Sequence, residues 1–156
     1  MSKAKYKATT MSGTGAFKVG GRWNSPGRPV AYVAGNLTLA MLELLVHADA
    51  ESLLALRYIY HRVRVPEEAL AVLDPDSLPD DWNARPEPRS TQLIGDEWLE
   101  RAETPVLAVP SVVVPPAERF ELTYMNLLVN PQHETYKTQV DVGQVHDLVW
   151  DPRLMA

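Results

Sequence analysis

An arginine, a tyrosine and a glutamate lie close together near the beginning of the sequence. Arg22 lies in the loop sequence GGRWNSPG, Tyr32 in the apolar run VAYV, and Glu43 in the apolar run LAMLELL. A guanidinium binds phosphate through two parallel hydrogen bonds, and an adjacent glycine such as Gly21 lets the backbone approach a ligand closely. A carboxylate that is buried without a partner costs free energy, so Glu43 is expected to be paired or to take part in chemistry.

Each of these residues also has a purely structural interpretation. Arg22 can be a loop residue paired with a surface carboxylate, and Tyr32 can be a core aromatic with a satisfied hydroxyl. Glu43 can form a buried ion pair with one of three arginines, Arg57, Arg62 or Arg64. The local sequence leaves these alternatives open.

A serine and four histidines complete the candidate residues. Ser111 follows Pro110, which is typical of a turn residue bonded to its own backbone, although its hydroxyl can equally position a ligand or Glu43. No Gly-x-Ser-x-Gly pattern surrounds Ser111, so a nucleophile-elbow serine is excluded. The histidines lack the three- or four-residue spacing of a helical metal site, so His133 is expected to be structural and no metal site is predicted.

Composition excludes several classes of protein. The chain has 156 residues, a net charge of -5 and no cysteine, which excludes disulfides, thiol catalysis and thiolate metal sites. No block of like charge suggests a nucleic-acid-binding arm, and no apolar run is long enough to span a membrane. The basic N-terminus lacks the apolar core of a secretion signal, so a cytoplasmic location is expected.

Helix and strand patterns alternate irregularly along the chain. Asn36 is a suitable N-cap for a helix that carries Glu43, and four prolines between residues 74 and 90 predict a loop. A second helix is predicted over Thr91 to Glu103, with Leu93 and three other apolar residues facing inward. The predicted strands are Val30 to Val33, Leu53 to Val65, Val106 to Val114 with an interruption at Pro110-Ser111, Met125 to Val129, and Val145 to Val149. This order favours an α+β fold in one domain over residues 1–156.

Several separated motifs resemble those of RES-domain toxins from bacterial toxin–antitoxin pairs. The family is named for an arginine, a glutamate and a serine, which here are Arg22, Glu43 and Ser111. The other matching segments are Gly95-Asp96-Glu97-Trp98-Leu99, Asn126-Leu127-Leu128-Val129-Asn130-Pro131-Gln132-His133, and Trp150-Asp151-Pro152-Arg153-Leu154.

The resemblance implies a compact ADP-ribosyltransferase-like fold with a split, bent β core and activity on NAD+. It implies NAD+ cleavage by hydrolysis or phosphorolysis, or alternatively ADP-ribose transfer to a protein. By this resemblance Glu43 is the central catalytic group and Tyr32 stacks on nicotinamide. Arg22 holds the pyrophosphate or the nicotinamide ribose, and Gly21 is a further substrate-binding residue. Ser111 orients the substrate or Glu43.

The resemblance further implies that no cofactor is required and that NAD+ is the substrate. The expected protein partner is a cognate Xre-like antitoxin, and a homodimer within a toxin–antitoxin complex is one assembly that fits. Neither direct nucleic-acid binding nor membrane association is expected. One departure from the family pattern is Tyr6-Lys7, where a tyrosine–arginine pair is usual, because a lysine loses the bidentate fork.

Overall fold

The computed structural model describes residues 1–47, 53 and 56–155. Within these residues the chain forms two separate, open β-sheets and the four α-helices whose bounds are given below. The strands are β1 Ser2–Lys3, β2 Ala31–Ala34, β3 Tyr58–Arg64, β4 Leu70–Val72, β5 Val106–Pro110, β6 Met125–Val129 and β7 Asp141–Leu148. The helices are α1 Thr14–Val19, α2 Leu37–His47, α3 Arg89–Arg101 and α4 Tyr136–Gln139. The predicted α+β class and split β core are confirmed.

The four-stranded sheet carries most of the core. Its order is β2-β6-β5-β4, with only β4 and β5 parallel. Successive side chains of a strand point to opposite faces of the sheet. Leu107 and Val109 of β5 accordingly belong to one hydrophobic cluster, together with Trp23, and Val106 belongs to a second cluster. Because both faces are covered, every residue of β5 is buried.

The three-stranded sheet has the order β1-β3-β7 and is antiparallel throughout. Its register shifts between His61 and Val63, opposite the segment that contains Gly143.

The strand predicted from Leu53 to Val65 begins too early, because Leu53 is helical and buried while β3 begins at Tyr58. Residues 54 and 55 of that prediction lie outside the described residues.

The predicted strand over Val145 to Val149 is too short. β7 begins at Asp141, because its residues pair with β3 on both sides of the register shift. The strand predicted for Met125 to Val129 has the observed bounds of β6, and the strand after Val106 ends at Pro110.

Helix α3 packs directly against the loop that contains Arg22. A Cβ on Gly95 would lie 1.7 Å from the backbone oxygen of Trp23, so no larger residue fits at this position. The helix begins at Arg89, two residues before the predicted start. The prediction that Leu93 faces inward is wrong: its side chain is 52% exposed, and the buried positions include Gly95 and Asp96.

The proline-rich segment between β4 and α3 contains a single short 3-10 turn, Pro75–Ser77, among irregular backbone. Trp82 anchors this segment, because its ring is buried and stacks on Trp23 at a centroid distance of 6.5 Å. Within the described residues, no helix has the length and apolar character needed to cross a membrane.

Candidate active site

Arg22, Tyr32 and Glu43 line one cavity of about 380 Å³, which we call the arginine cavity. Its walls come from the glycine loop, helix α2, the end of β5, the beginning of β6 and the proline-rich segment. Further lining residues are Gly15, Ala16, Val19, Gly20, Gly21, Trp23, Val46, His47, Arg85, Glu87, Pro110, Val112, Val113 and Asn126. The structure therefore brings together residues that are distant in sequence.

Helix α2 presents Glu43 to this cavity. The helix begins as predicted, because the Asn36 side chain accepts a hydrogen bond of 2.8 Å from the backbone N–H of Leu39. Ser111 Oγ donates to Glu43 Oε1 at 2.7 Å, and Asn126 Nδ2 donates to the same oxygen at 2.5 Å. Among the described residues, hydrogen bonds reach only Oε1, which leaves Oε2 available to a ligand.

Among the described residues, no salt bridge joins Glu43 to Arg57, Arg62 or Arg64. Arg57 pairs with Asp147 and Arg64 with Asp141, each at 3.1 Å on the three-stranded sheet. Glu43 is instead held by two neutral donors. Its negative charge is therefore oriented but not cancelled by an adjacent cation among these contacts.

Ser111 is both a turn residue bonded to nearby backbone and a hydrogen-bond donor to Glu43, the two roles that the sequence left open. Its side chain is buried, with 1% of the residue exposed, and its Oγ accepts a hydrogen bond of 3.2 Å from the backbone N–H of Val113. The same hydroxyl donates to Glu43. The backbone of the turn after β5 therefore holds the Ser111 hydroxyl in place, and this hydroxyl in turn orients the Glu43 carboxylate.

Arg22 is half-buried and binds backbone oxygens rather than a surface carboxylate. Its Nη1 donates to the carbonyl oxygens of Trp82 at 2.6 Å and Ala84 at 3.1 Å. Burial lowers the pKa of Arg22, the nearby positive charge of Arg85 lowers it further, and Glu87 opposes the shift. Arg22 thus holds the proline-rich segment beside the cavity, in an environment where another anion would be favourable.

Tyr32 has a fixed hydroxyl and an accessible ring. The hydroxyl donates to Asn24 Oδ1 at 2.8 Å and accepts from the backbone N–H of Trp23 at 3.1 Å. Burial of this group raises its pKa well above the usual value, so the phenol remains neutral at physiological pH. The residue is 39% exposed and lines the cavity, so its ring is accessible for stacking.

Gly21 contributes to the site through its small size. A Cβ on this residue would lie 2.7 Å from the Tyr32 hydroxyl oxygen, so a larger side chain would displace the tyrosine. The backbone oxygen of Gly21 also accepts a hydrogen bond of 3.1 Å from Gln92 on α3. The glycine therefore lets the arginine loop and the tyrosine strand lie in contact.

Sequence reasoning missed the role of Asn126 and the proximity of Arg85. Asn126 begins one of the recognised motifs, but nothing local shows that its amide reaches Glu43, 83 residues earlier. Arg85 lies in the proline-rich loop, where its neighbours in sequence give no indication that it lines the arginine cavity.

His133 has a structural role, as expected. Its Nε2 hydrogen bonds with the backbone oxygen of Ala102 at 2.9 Å, and its Nδ1 with Thr135. Among the residues that the structure describes, no cluster of three histidine, aspartate or glutamate side chains is placed to bind a metal ion.

Comparison with known proteins gives matches that span almost the whole chain. The family model described as "RES domain" matches residues 1–151. The chain is 37% identical over 150 residues to "Toxin Res" of Yersinia enterocolitica, covering 96% of this chain and 93% of the relative. It is 39% identical over 153 residues to the "Prs ADP-ribosylating toxin" of Sphingobium sp. (strain YBL2), covering 96% and 89%.

A solved structure has the same fold. The match is to a chain of the M. tuberculosis MbcT–MbcA toxin–antitoxin complex, with a TM-score of 0.71 and 25% sequence identity. It covers 93% of this chain and 79% of the solved chain. Together with the family match, these similarities show that the chain belongs to the RES domain family.

Proposed function

We propose that this protein is the toxin of a toxin–antitoxin pair and that it degrades NAD+ by cleaving the nicotinamide–ribose bond, through hydrolysis or phosphorolysis. The observation that carries the proposal is the Glu43 carboxylate, which two neutral donors fix at the wall of a cavity that also contains Arg22 and Tyr32. The relatives named "Toxin Res" support the toxin assignment.

The geometry of Glu43 suits this reaction. Positive charge develops on the ribose as the bond to nicotinamide breaks, as in glycoside hydrolysis. An oriented carboxylate stabilises such charge strongly in a cavity that excludes water. Since Ser111 and Asn126 both bind Oε1, Oε2 can face the anomeric carbon or the ribose 2′-hydroxyl. Nicotinamide leaves as a neutral molecule, so no strong general acid is needed.

The remaining lining residues match the other parts of NAD+. The guanidiniums of Arg22 and Arg85 are two positive charges in one cavity, and the diphosphate is the anionic part of the substrate. Arg22 can meet a phosphate with the guanidinium nitrogens that do not bind Trp82 and Ala84. The accessible Tyr32 ring provides a face for nicotinamide.

A second candidate function is ADP-ribosylation of a protein. It is favoured by the 39% identical relative that is named an ADP-ribosylating toxin. Both functions break the same bond and would use Glu43 in the same way, so they differ only in the acceptor. Met41, two positions before Glu43, has no group that could bind a protein acceptor by hydrogen bonding, which favours a small acceptor.

We also propose that an Xre-like antitoxin inhibits the protein by placing its C-terminal segment in the arginine cavity. The structural relative comes from a toxin–antitoxin complex. The cations at this cavity are Arg22 and Arg85, whereas Arg57 and Arg64 pair with aspartates on the three-stranded sheet. A carboxylate of the antitoxin would then occupy the diphosphate position. Co-expression with the adjacent open reading frame should restore growth, and a stable complex that still consumes NAD+ would contradict this mode of inhibition.

Incubation of the purified protein with NAD+ tests the main proposal. Parallel reactions contain buffer alone, added phosphate, or a cell lysate with labelled NAD+. Hydrolysis gives free ADP-ribose, phosphorolysis gives ADP-ribose phosphate, and protein modification gives labelled bands. If nicotinamide is released in none of these reactions, the proposed activity is wrong.

A further inference from the structure

A second cavity of about 300 Å³ is also lined by Tyr32 and Glu43. We call it the apolar chamber. It shares four lining residues with the arginine cavity: Tyr32, Glu43, His47 and Asn126. The two spaces therefore meet at the carboxylate, and a molecule in either one can approach Glu43.

The two spaces differ in their chemistry. The arginine cavity is lined by Arg22, Arg85 and Glu87. The apolar chamber is lined by four aliphatic residues, Val33, Ala34, Ala40 and Leu44, together with Met1, and by no lysine or arginine among the described residues. An anionic substrate group is favoured in the first space, while the second favours a group with an apolar body and a small polar end.

From the contrast between the two cavities we propose that the apolar chamber is the acceptor site. The acceptor that it takes is an alcohol, a molecule with a hydroxyl group on an apolar carbon. This inference rests on the proposed cleavage of NAD+. The diphosphate is placed in the arginine cavity by charge, so the reacting ribose lies beside Glu43. The chamber then lets an acceptor reach Glu43 from a space that the diphosphate does not occupy.

The proposed step balances without a further reactant. The bond between the anomeric carbon and the nicotinamide nitrogen breaks, and its electron pair leaves with neutral nicotinamide. The alcohol oxygen forms a bond to the same carbon, and the alcohol proton passes to the Glu43 carboxylate and then to water. The product is an O-alkyl ADP-ribose, and water in the chamber gives ADP-ribose instead.

The lining also predicts which acceptor is disfavoured. Inorganic phosphate carries negative charge and would lie beside Glu43, where the described lining has no lysine or arginine and burial lowers the pKa of the Met1 ammonium. Desolvating that charge without a paired cation is costly. The structure thus favours neutral acceptors over phosphate.

Competition between alcohols and water tests the proposal. The purified protein cleaves NAD+ in equal molar concentrations of methanol, ethanol or propan-1-ol, and mass spectrometry gives the ratio of O-alkyl ADP-ribose to ADP-ribose. Full burial of one methylene is worth about 0.8 kcal/mol, so the ratio should rise by up to roughly fourfold per added carbon. A ratio that stays constant or falls along the series would overturn the proposal.

Three variants sharpen this test. Ala40→Leu narrows the chamber and should remove the rise with chain length while the KM for NAD+ stays within about twofold, because Ala40 does not line the arginine cavity. Leu44→Ala widens the chamber and should preserve the rise. Ala117→Leu is an exposed control and should match the wild type. Thermal unfolding of each variant shows that it is folded.

Three other results of these experiments would each contradict the proposal or one part of it. If Ala40→Leu raises the KM for NAD+ about tenfold and leaves the product ratio unchanged, the chamber binds nicotinamide and the acceptor assignment is wrong. If ADP-ribose phosphate exceeds both other products at millimolar phosphate, the preference for a neutral acceptor is wrong. If the wild type releases no nicotinamide at all, the proposed function fails and this inference fails with it.

Discussion

Two acidic side chains, Asp96 and Glu43, are held in opposite ways. Asp96 on α3 has both carboxylate oxygens bonded to Ser25, through the backbone N–H at 2.9 Å and the hydroxyl at 2.5 Å. Glu43 on α2 has hydrogen bonds to Oε1 alone among the described residues, and it borders two cavities. In the first arrangement both oxygens are engaged by Ser25, whereas the second keeps one oxygen available.

The hydrogen bonds of Asp96 are those of a structural carboxylate, whereas those of Glu43 fit the catalytic role proposed for it. Asp96 is 7% exposed and joins α3 to the glycine loop, and the Ser25 hydroxyl in turn accepts from Arg89 Nη1 at 2.7 Å. Such a network rigidifies the loop that carries Arg22. Glu43 is instead positioned by Ser111 and Asn126, and an electrostatic contribution to catalysis requires groups that are already in position.

The largest expected effect comes from Glu43→Gln. The glutamine oxygen can still accept from Ser111 and Asn126, so the fold is retained while the charge is lost. We expect NAD+ consumption to fall by at least about a hundredfold, the usual scale for one transition-state electrostatic group. In cells, induction of this variant should permit growth and preserve NAD+ levels, with the exposed Glu118→Gln as a toxic control.

Ser111→Ala should have the next largest effect. It removes one of the two hydrogen bonds to Glu43 Oε1. Hydrogen bonds to charged groups contribute about 1.5–3 kcal/mol, so a kcat reduction of roughly tenfold or more is expected, with a smaller change in KM. Ser111→Thr retains a hydroxyl and should recover part of the activity. A kcat equal to that of the wild type would show that Asn126 alone orients the carboxylate.

Arg22→Lys should have a moderate effect on both kinetic constants. A lysine gives a point contact in place of a fork and cannot reproduce the two bonds to Trp82 and Ala84. We expect KM for NAD+ to rise by about fivefold, the scale of one hydrogen bond of about 1 kcal/mol, and turnover to fall as well. Titration of NAD+ against both proteins measures this, and unchanged constants would make Arg22 a loop anchor only.

Asp96→Asn should have the smallest effect on chemistry and a clear effect on stability. Its amide nitrogen would face either the Ser25 N–H, where no hydrogen bond can form, or the Ser25 hydroxyl, whose proton would lose its acceptor, and the negative charge is removed in both cases. We expect the free energy of unfolding to fall by about 1–3 kcal/mol, as measured by urea denaturation. The kcat of the folded protein should stay within about twofold of the wild type.

Local signals in the sequence predict the elements that carry the site. The Asn36 cap and the apolar run after it predict α2, and the run Met125 to Val129 predicts β6 at its observed bounds. The strand prediction failed near Leu53, because apolar spacing alone does not distinguish a short buried helical residue from a strand. Leu93 was misplaced because close packing of Gly95 against Trp23 sets the inward face of α3.

The contacts within the site could not be predicted from local sequence. The partners of Glu43 lie 68 and 83 residues away, and the carbonyl oxygens bound by Arg22 lie 60 and 62 residues away. Such contacts follow from the pairing of β2, β5 and β6 and from the path of the proline-rich segment. Family resemblance selected Arg22, Glu43 and Ser111, but only the fold shows which atoms meet.

The most direct test of the account is nicotinamide release at saturating NAD+ by Glu43→Gln and Asp96→Asn, measured side by side at a temperature where both variants are folded. We expect Glu43→Gln to lose at least about a hundredfold in rate and Asp96→Asn to remain within about twofold of the wild type. A Glu43→Gln rate near that of the wild type, or equal losses in the two variants, would contradict the assignment of Glu43 as the catalytic carboxylate.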